Sequence, residues 1–245
     1  MTTSRITRGL RLARVAAHFA NGAVVAGAGY PFMNTAQRGV SLRRWSAQLV
    51  SHLAANLKVH GTPPPAPYFL AANHVSWLDI FAINAATPTR FVAKSEVREW
   101  PLVGWLCVKA DTLFIERARP RDLSRIDAMI ADALRAGAGM GVFLEGTTTN
   151  GHEVLPFKSS LLRPAQALGV PVTPVAIRYL RKDGSVCTEA AYDGDKSAMD
   201  TLRGMLTQRE IDVHVHFLPP LDSGGMHHKV LAREAREAIV KVLYS

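Results

Sequence analysis

From Met1 to Leu78 the chain contains no aspartate and no glutamate. The same stretch carries Arg5, Arg8, Arg11, Arg14, Arg38, Arg43, Arg44 and Lys58. All 20 acidic residues, and the balance of the 29 basic ones, lie beyond it and nearly cancel. The formal charge of +9 therefore belongs almost wholly to the N-terminal third, which suits an anionic membrane surface. Aromatic residues are not interleaved with these cations, which argues against single-stranded nucleic acid as a partner. Cysteine is scarce too. Cys107 and Cys187 are too few and too far apart for a disulfide framework or a CxxC site, and read as reduced thiols. There is no Gly-x-Ser-x-Gly elbow, which removes the usual serine-nucleophile route to acyl chemistry. No repeat or low-complexity tract occurs, so solenoids and disordered arrays are excluded as well.

A clean apolar span is also missing. Val15 to Gln37 is uncharged and near the roughly 20 residues that cross a bilayer, but His18, Asn21, Asn34 and Pro31 dilute it. It reads better as a retained anchor than as a cleaved signal peptide. Ser41 to Leu57 places Leu42, Trp45, Leu49, Leu53 and Leu57 on one helical stripe, with Arg43 and Arg44 off it. Two helices broken near Pro31 to Arg38 give a hairpin that either lies in one leaflet or packs on the rest of the chain. The charge asymmetry favours the membrane. The run Gly61-Thr62-Pro63-Pro64-Pro65-Ala66-Pro67 is extended punctuation, which sets expected units of 1–60 for the membrane-associated hairpin and 61–245 for the remainder.

Beyond it strands and helices alternate. Strands are expected at 68–72, 90–93, 112–115, 142–144, 172–177 and 212–217, and helices at 122–136, 160–168, 197–206 and 226–243. That order predicts an α/β fold whose largely parallel, mixed sheet is covered by helices on both faces. Ligands of such folds bind beyond the carboxyl ends of the strands. Several polar clusters fall there: Asn73-His74 after the first strand, Lys94 and Glu96 after the second, Glu116 and Arg117 after the third, and Glu145-Gly146-Thr147 after the fourth. Arg117 and Lys94 suit a phosphate, the first as a fork and the second as a point charge. Gly146 permits close backbone approach, and Thr147 offers a hydroxyl.

Asn73-His74-Val75-Ser76-Trp77-Leu78-Asp79 has two readings. On one continuous helix His74 and Asp79 would lie about 140° apart, so they meet only if His74 sits in the turn before the helix. Otherwise Ser76 and Asp79 form a capping box and His74 is incidental. His214 and His216 share one face of their strand and make a metal pair conceivable. No third ligand is evident in sequence, so a partly solvated strand face is expected and no metal site. Cys107, between apolar neighbours, reads as a buried thiol.

Residues 73–79 resemble the NHxSxxD signature of the glycerolipid acyltransferase family, typified by bacterial 1-acylglycerol-3-phosphate acyltransferase. Leu113 to Arg117, Phe143 to Thr147 and Val170 to Val175 are similar to its remaining motifs, in the same order. The resemblance implies His74 as general base on an acceptor hydroxyl, with Asp79 orienting its ring. It implies substrate-binding roles for Asn73, Ser76, Lys94, Arg117, Glu145, Gly146, Thr147, Lys158 and Pro174, and no cofactor. The oxyanion is expected to meet backbone N–H groups near Val75-Ser76 or Pro174. The implied partners are acyl-CoA or acyl carrier protein as donor, a lysophospholipid as acceptor and membrane lipids, at the cytoplasmic face of the inner membrane. The implied acceptor is 1-acylglycerol-3-phosphate, giving phosphatidate. Departures bear on that choice: Asp111 stands where the family often has Gly, Leu144 where it often has Pro, and Thr148 where it often has Arg. The missing arginine shifts phosphate binding onto Arg117, Lys94 and Lys158, and admits a different acceptor such as lyso-ornithine lipid.

Overall fold

The computed structural model describes residues 3–116 and 120–244. Its seven strands are β1 (Ala55–His60), β2 (Tyr68–Ala72), β3 (Arg90–Lys94), β4 (Leu113–Ile115), β5 (Gly139–Phe143), β6 (Val172–Leu180) and β7 (Ile211–Phe217). They form one sheet in the order β1-β7-β6-β2-β5-β3-β4, parallel at every pairing except β6 with β7. The α/β class and the mixed, mostly parallel sheet are as expected from sequence. All five residues of β2 are buried, because it is central and covered on both faces.

The helices are α1 (Arg5–Val24), α2 (Thr35–His52), α3 (Asp79–Ala86), α4 (Val103–Lys109), α5 (Pro120–Arg135), α6 (Arg163–Leu168), α7 (Ala198–Thr207) and α8 (His228–Tyr244). Residues alternate along β2, so Leu70 and Ala72 face a core built with Leu49, Ile83 and Met205 from α2, α3 and α7. Phe69 and Ala71 face the opposite core, with Ile126 and Ile130 from α5 and Leu231 and Ala235 from α8. The apolar stripe of α5 is the one the 3.6-residue period predicts.

Three expectations are corrected. The helix expected over Ser41 to Leu57 ends at His52, and Ala54, at φ +55°, turns the chain into the edge strand β1. Leu57 is therefore a strand residue, and the Pro-rich run at 61–67 joins β1 to β2 within a single sheet. The strand placed at 142–144 begins earlier, at Gly139. Cys107 is half-buried rather than buried.

α1 and α2 form a hairpin that packs on the sheet domain. The His18 ring stacks on Trp45 at 4.7 Å, and Trp45 Nε1 donates to the His18 carbonyl at 3.2 Å. Gly22 is required for this closeness, since a Cβ there would sit 2.6 Å from Trp45 Nε1. Arg11 donates to the carbonyls of Gln208 and Arg209, tying α1 to the end of α7. The uncharged stretch from Val15 is not one helix: α1 gives way to a π-helical turn at Val25–Gly29 and a 3-10 turn at Tyr30–Phe32, where Pro31 lacks a donor. Among the described residues no helix is long and apolar enough to cross a membrane.

Candidate active site

β2 ends on a side chain that imitates a peptide unit. The Asn73 amide donates to the Ile177 carbonyl at 3.0 Å and accepts from its N–H at 2.7 Å, extending the pairing with β6 one residue past the strand. The chain then turns, and His74 leaves the ladder before α3 begins. The turn lets the two residues meet: His74 Nδ1 lies 2.7 Å from Asp79 Oδ2.

The Asp79 carboxylate is fully buried, and its solvation is replaced by four donors. Oδ2 accepts from the N–H groups of Val75 and Ser76 at 2.8 and 3.0 Å as well as from His74. Oδ1 accepts from the Tyr179 hydroxyl at 2.6 Å. Burial and the adjoining carboxylate hold the Tyr179 phenol well above its ordinary pKa, so it remains the donor. Half of the expected capping box is present, with the aspartate reaching back to the Ser76 N–H. The Ser76 hydroxyl accepts from Leu78 N–H instead of closing the other half. With Nδ1–H donating to Asp79, Nε2 is left with a lone pair: the tautomer a general base needs.

The strand ends gather as expected. Ala72 pairs with Phe143, and the β5–β3 and β3–β4 registers carry that row across to Ala93 and Phe114, one residue before Lys94 and Ile115. The His74 ring lies flat on Phe143 at 3.9 Å, and Phe143 stacks on Phe91 at 5.4 Å. Phe91 in turn lines an apolar cavity of about 90 Å³ walled by Phe19, Trp45, Phe81, Val103 and Leu106. A file of three rings thus runs from the imidazole to the cavity wall.

Several residues expected to bind substrate instead brace the turn. Glu145 is 2 % exposed, and its two oxygens accept from His74 N–H and Leu155 N–H, each at 2.7 Å. Burial pushes its carboxyl up from 4.5 to about 7, against the pull of those donors. Asn73 and Ser76 are likewise buried, and Pro174 is enclosed within β6 beside Ala71. These four present no surface to a ligand. The N–H groups of Val75 and Ser76 are spent on Asp79, which withdraws them as oxyanion donors. Lys94, Thr147 and Lys158 are exposed. Gly146 has φ +74°, and a Cβ there would meet Lys158 Nζ at 2.8 Å. Arg117 lies outside the described residues. Thr148, where the family often has Arg, turns its hydroxyl onto the Tyr192 carbonyl. Asp111, where the family often has Gly, adopts φ +54°, the left-handed conformation glycine favours and aspartate tolerates.

Sequence reasoning missed Tyr179 and Phe143. Continuing the alternation of Val175 and Ile177 by one step would have put Tyr179 on the face toward Asp79.

A buried carboxylate, a histidine whose Nδ1 it holds and an apolar cavity lie together, the parts that general-base chemistry away from water requires. The acyltransferase family profile matches residues 56–178, and the chain belongs to that family. Lyso-ornithine lipid O-acyltransferase of Pseudomonas aeruginosa is 40% identical over 202 residues, covering 82% of this chain and 78% of that protein. The 1-acyl-sn-glycerol-3-phosphate acyltransferase of Neisseria meningitidis serogroup B is 30% identical over 197 residues, covering 80% and 77%. The crystal structure of the 1-acyl-sn-glycerophosphate acyltransferase from Thermotoga maritima superposes with a TM-score of 0.70 over 96% of both chains at 22% identity, which shows the shared fold.

Proposed function

We propose that this acyltransferase moves a fatty acyl group from a thioester to the free hydroxyl of a lysolipid. The observation that carries the reading is the His74–Asp79 couple, with Nδ1 committed to a buried carboxylate and Nε2 left to work. His74 Nε2 removes the proton of the acceptor hydroxyl as its oxygen attacks the thioester carbonyl. When the tetrahedral intermediate collapses, the C–S bond breaks and the imidazolium returns the proton to the departing thiolate. No acyl-enzyme is needed, in keeping with the absence of a serine elbow. The cavity behind Phe91 is apolar enough to hold part of the acyl chain away from water.

Lyso-ornithine lipid is our preferred acceptor. Position 148 offers a hydroxyl already bonded to backbone where a phosphate-binding arginine is often found, and relatives 40% and 38% identical carry that acceptor in their names. The lysophosphatidate reading is supported by Lys94 and Lys158, exposed cations at the strand ends, and by the relative at 30% identity. The donor is acyl-CoA or acyl carrier protein. The protein works at the cytoplasmic face of the cell membrane as a monotopic enzyme. Support for this lies in Arg5 and Arg8 beside exposed Ile6 and Leu10, and in exposed Phe32, Trp100, Leu102 and Trp105. The test is a panel of both donors against both lysolipids, with products identified by mass. We expect most product from lyso-ornithine lipid and none with His74→Ala. A predominance of phosphatidate would overturn the acceptor, and near-wild-type turnover by His74→Ala would overturn the mechanism.

A further inference from the structure

The sequence offered His214 and His216 as a pair without a third partner. Folding supplies one. β1 pairs with β7 in parallel, with His60 opposite His216 and Lys58 opposite His214, so three imidazoles rise from one face of the two strands. The rings are nearly parallel: His60 stacks on His216 at 4.1 Å and lies 5.2 Å from His214. His60 Nε2 is 3.1 Å from His214 Nδ1, and one ring nitrogen of each residue lies within 4.8 Å of the other two. Bonds of about 2.0–2.1 Å at tetrahedral angles would set such nitrogens about 3.4 Å apart, so the spacing suits a shared ion once the rings rotate out of their stack to aim their lone pairs at it.

The face is separate from the catalytic couple. His214 and His216 alternate with Val213, Val215 and Phe217, which belong to the core that also holds Tyr179. The three histidines therefore project from the side of the sheet opposite Asp79 and Tyr179. The neighbouring charges are engaged elsewhere. Lys58 pairs with Asp212 at 2.7 Å, and Arg178 donates to the Leu243 carbonyl.

We propose that His60, His214 and His216 form a binding site for a divalent transition-metal ion that staples the edge strand β1 to β7. Imidazole donors suit Zn²⁺, Cu²⁺ or Ni²⁺ and do not suit Mg²⁺ or Ca²⁺, which take oxygen ligands. Three ligands leave a fourth position, which at this exposed edge belongs to water. The staple has mechanical sense, because β1 follows the N-terminal hairpin directly and has one strand neighbour only, β7.

The test uses the untagged full chain, stripped with a chelator. Zn²⁺ is titrated against a chromophoric competitor, Co²⁺ absorption reports the geometry, and thermal unfolding is followed with and without Zn²⁺. We expect one equivalent of Zn²⁺, a Co²⁺ spectrum typical of tetrahedral nitrogen ligation, and a raised unfolding midpoint. His60→Ala and His216→Ala should each weaken Zn²⁺ binding by about tenfold or more and abolish the midpoint shift. His60 is exposed, so its removal should leave the circular dichroism spectrum unchanged and loss of binding cannot be ascribed to misfolding. Failure of the wild-type chain to bind Zn²⁺, or unaltered affinity in His60→Ala, would overturn the proposal.

Discussion

Two groups of histidine lie in this sheet, and their neighbours give them opposite chemistry. His74 faces a fully buried carboxylate that holds one nitrogen, lies flat on Phe143 and leaves its other nitrogen uncommitted to that carboxylate. His60, His214 and His216 face chiefly one another at the sheet edge, and the nearby Asp212 carboxylate is paired with Lys58. One arrangement fixes a proton on a chosen atom. The other stacks three imidazoles with a ring nitrogen of each close to the other two. The same side chain is suited to act as a base in the first setting and as a ligand in the second, because of what lies beside it.

The largest effects should come from the first group. His74→Ala is expected to lower acyl transfer by about 10²–10⁴-fold while moving the unfolding midpoint less than Asp79→Ala does, since the ring is partly exposed and Asp79 keeps its three other donors. Asp79→Ala should cost comparable activity and also about 3–5 kcal/mol of stability, because it strands a buried phenol and two buried N–H groups. Urea unfolding of the two variants side by side tests the distinction. Equal destabilisation would mean the imidazole is structural. Tyr179→Phe comes next, at about 1–3 kcal/mol for a hydrogen bond to a charged group. Urea unfolding reads that loss, and kcat should fall with KM little changed, because the phenol positions Asp79 rather than the substrate.

How far the sequence reached these groups follows from the range of each contact. The His74–Asp79 couple was legible because five residues and one turn contain it. The assembly of strand ends was legible because a parallel order dictates it. Tyr179 lies 100 residues from Asp79, and the strand reading stopped two residues short of it. β1 was missed because Leu53 and Leu57 continue a helical stripe, while the break at Ala54 is a left-handed alanine with no glycine or proline to announce it. Missing β1 meant missing His60, and so the third imidazole. Burial was the other blind spot: Asn73, Ser76 and Glu145 were recognised as members of the site, but nothing in their spacing said that they face inward.

Glu145 gives a smaller, pH-dependent effect that separates bracing from catalysis. Its carboxyl titrates near 7 in the folded chain and near 4.5 when exposed. Between those values the native state holds more protons than the unfolded one. The stability it contributes is thus fully present below about 4.5 and is lost as pH rises through about 7. Glu145→Gln removes that dependence while setting an amide N–H against one of two backbone donors. The variant should be less stable than wild type at pH 5, and the gap should narrow by pH 8, as followed by urea unfolding at both values.

The smallest effect should come from the second group, and it is the sharpest check on the contrast. His60 stands on the far side of the sheet from Asp79 and, among the described residues, shares no hydrogen-bond partner with the His74–Asp79 turn, so its loss should be energetically independent of that turn. His60→Ala is expected to keep kcat and KM within about twofold of wild type at 25 °C, because well-separated sites contribute additively. The double variant with Tyr179→Phe should lose stability by the sum of the two single changes. A kcat deficit in His60→Ala as large as that of Tyr179→Phe would show that β1 transmits to the catalytic turn through β7 and β6. The two sets of histidines would then be one system rather than two.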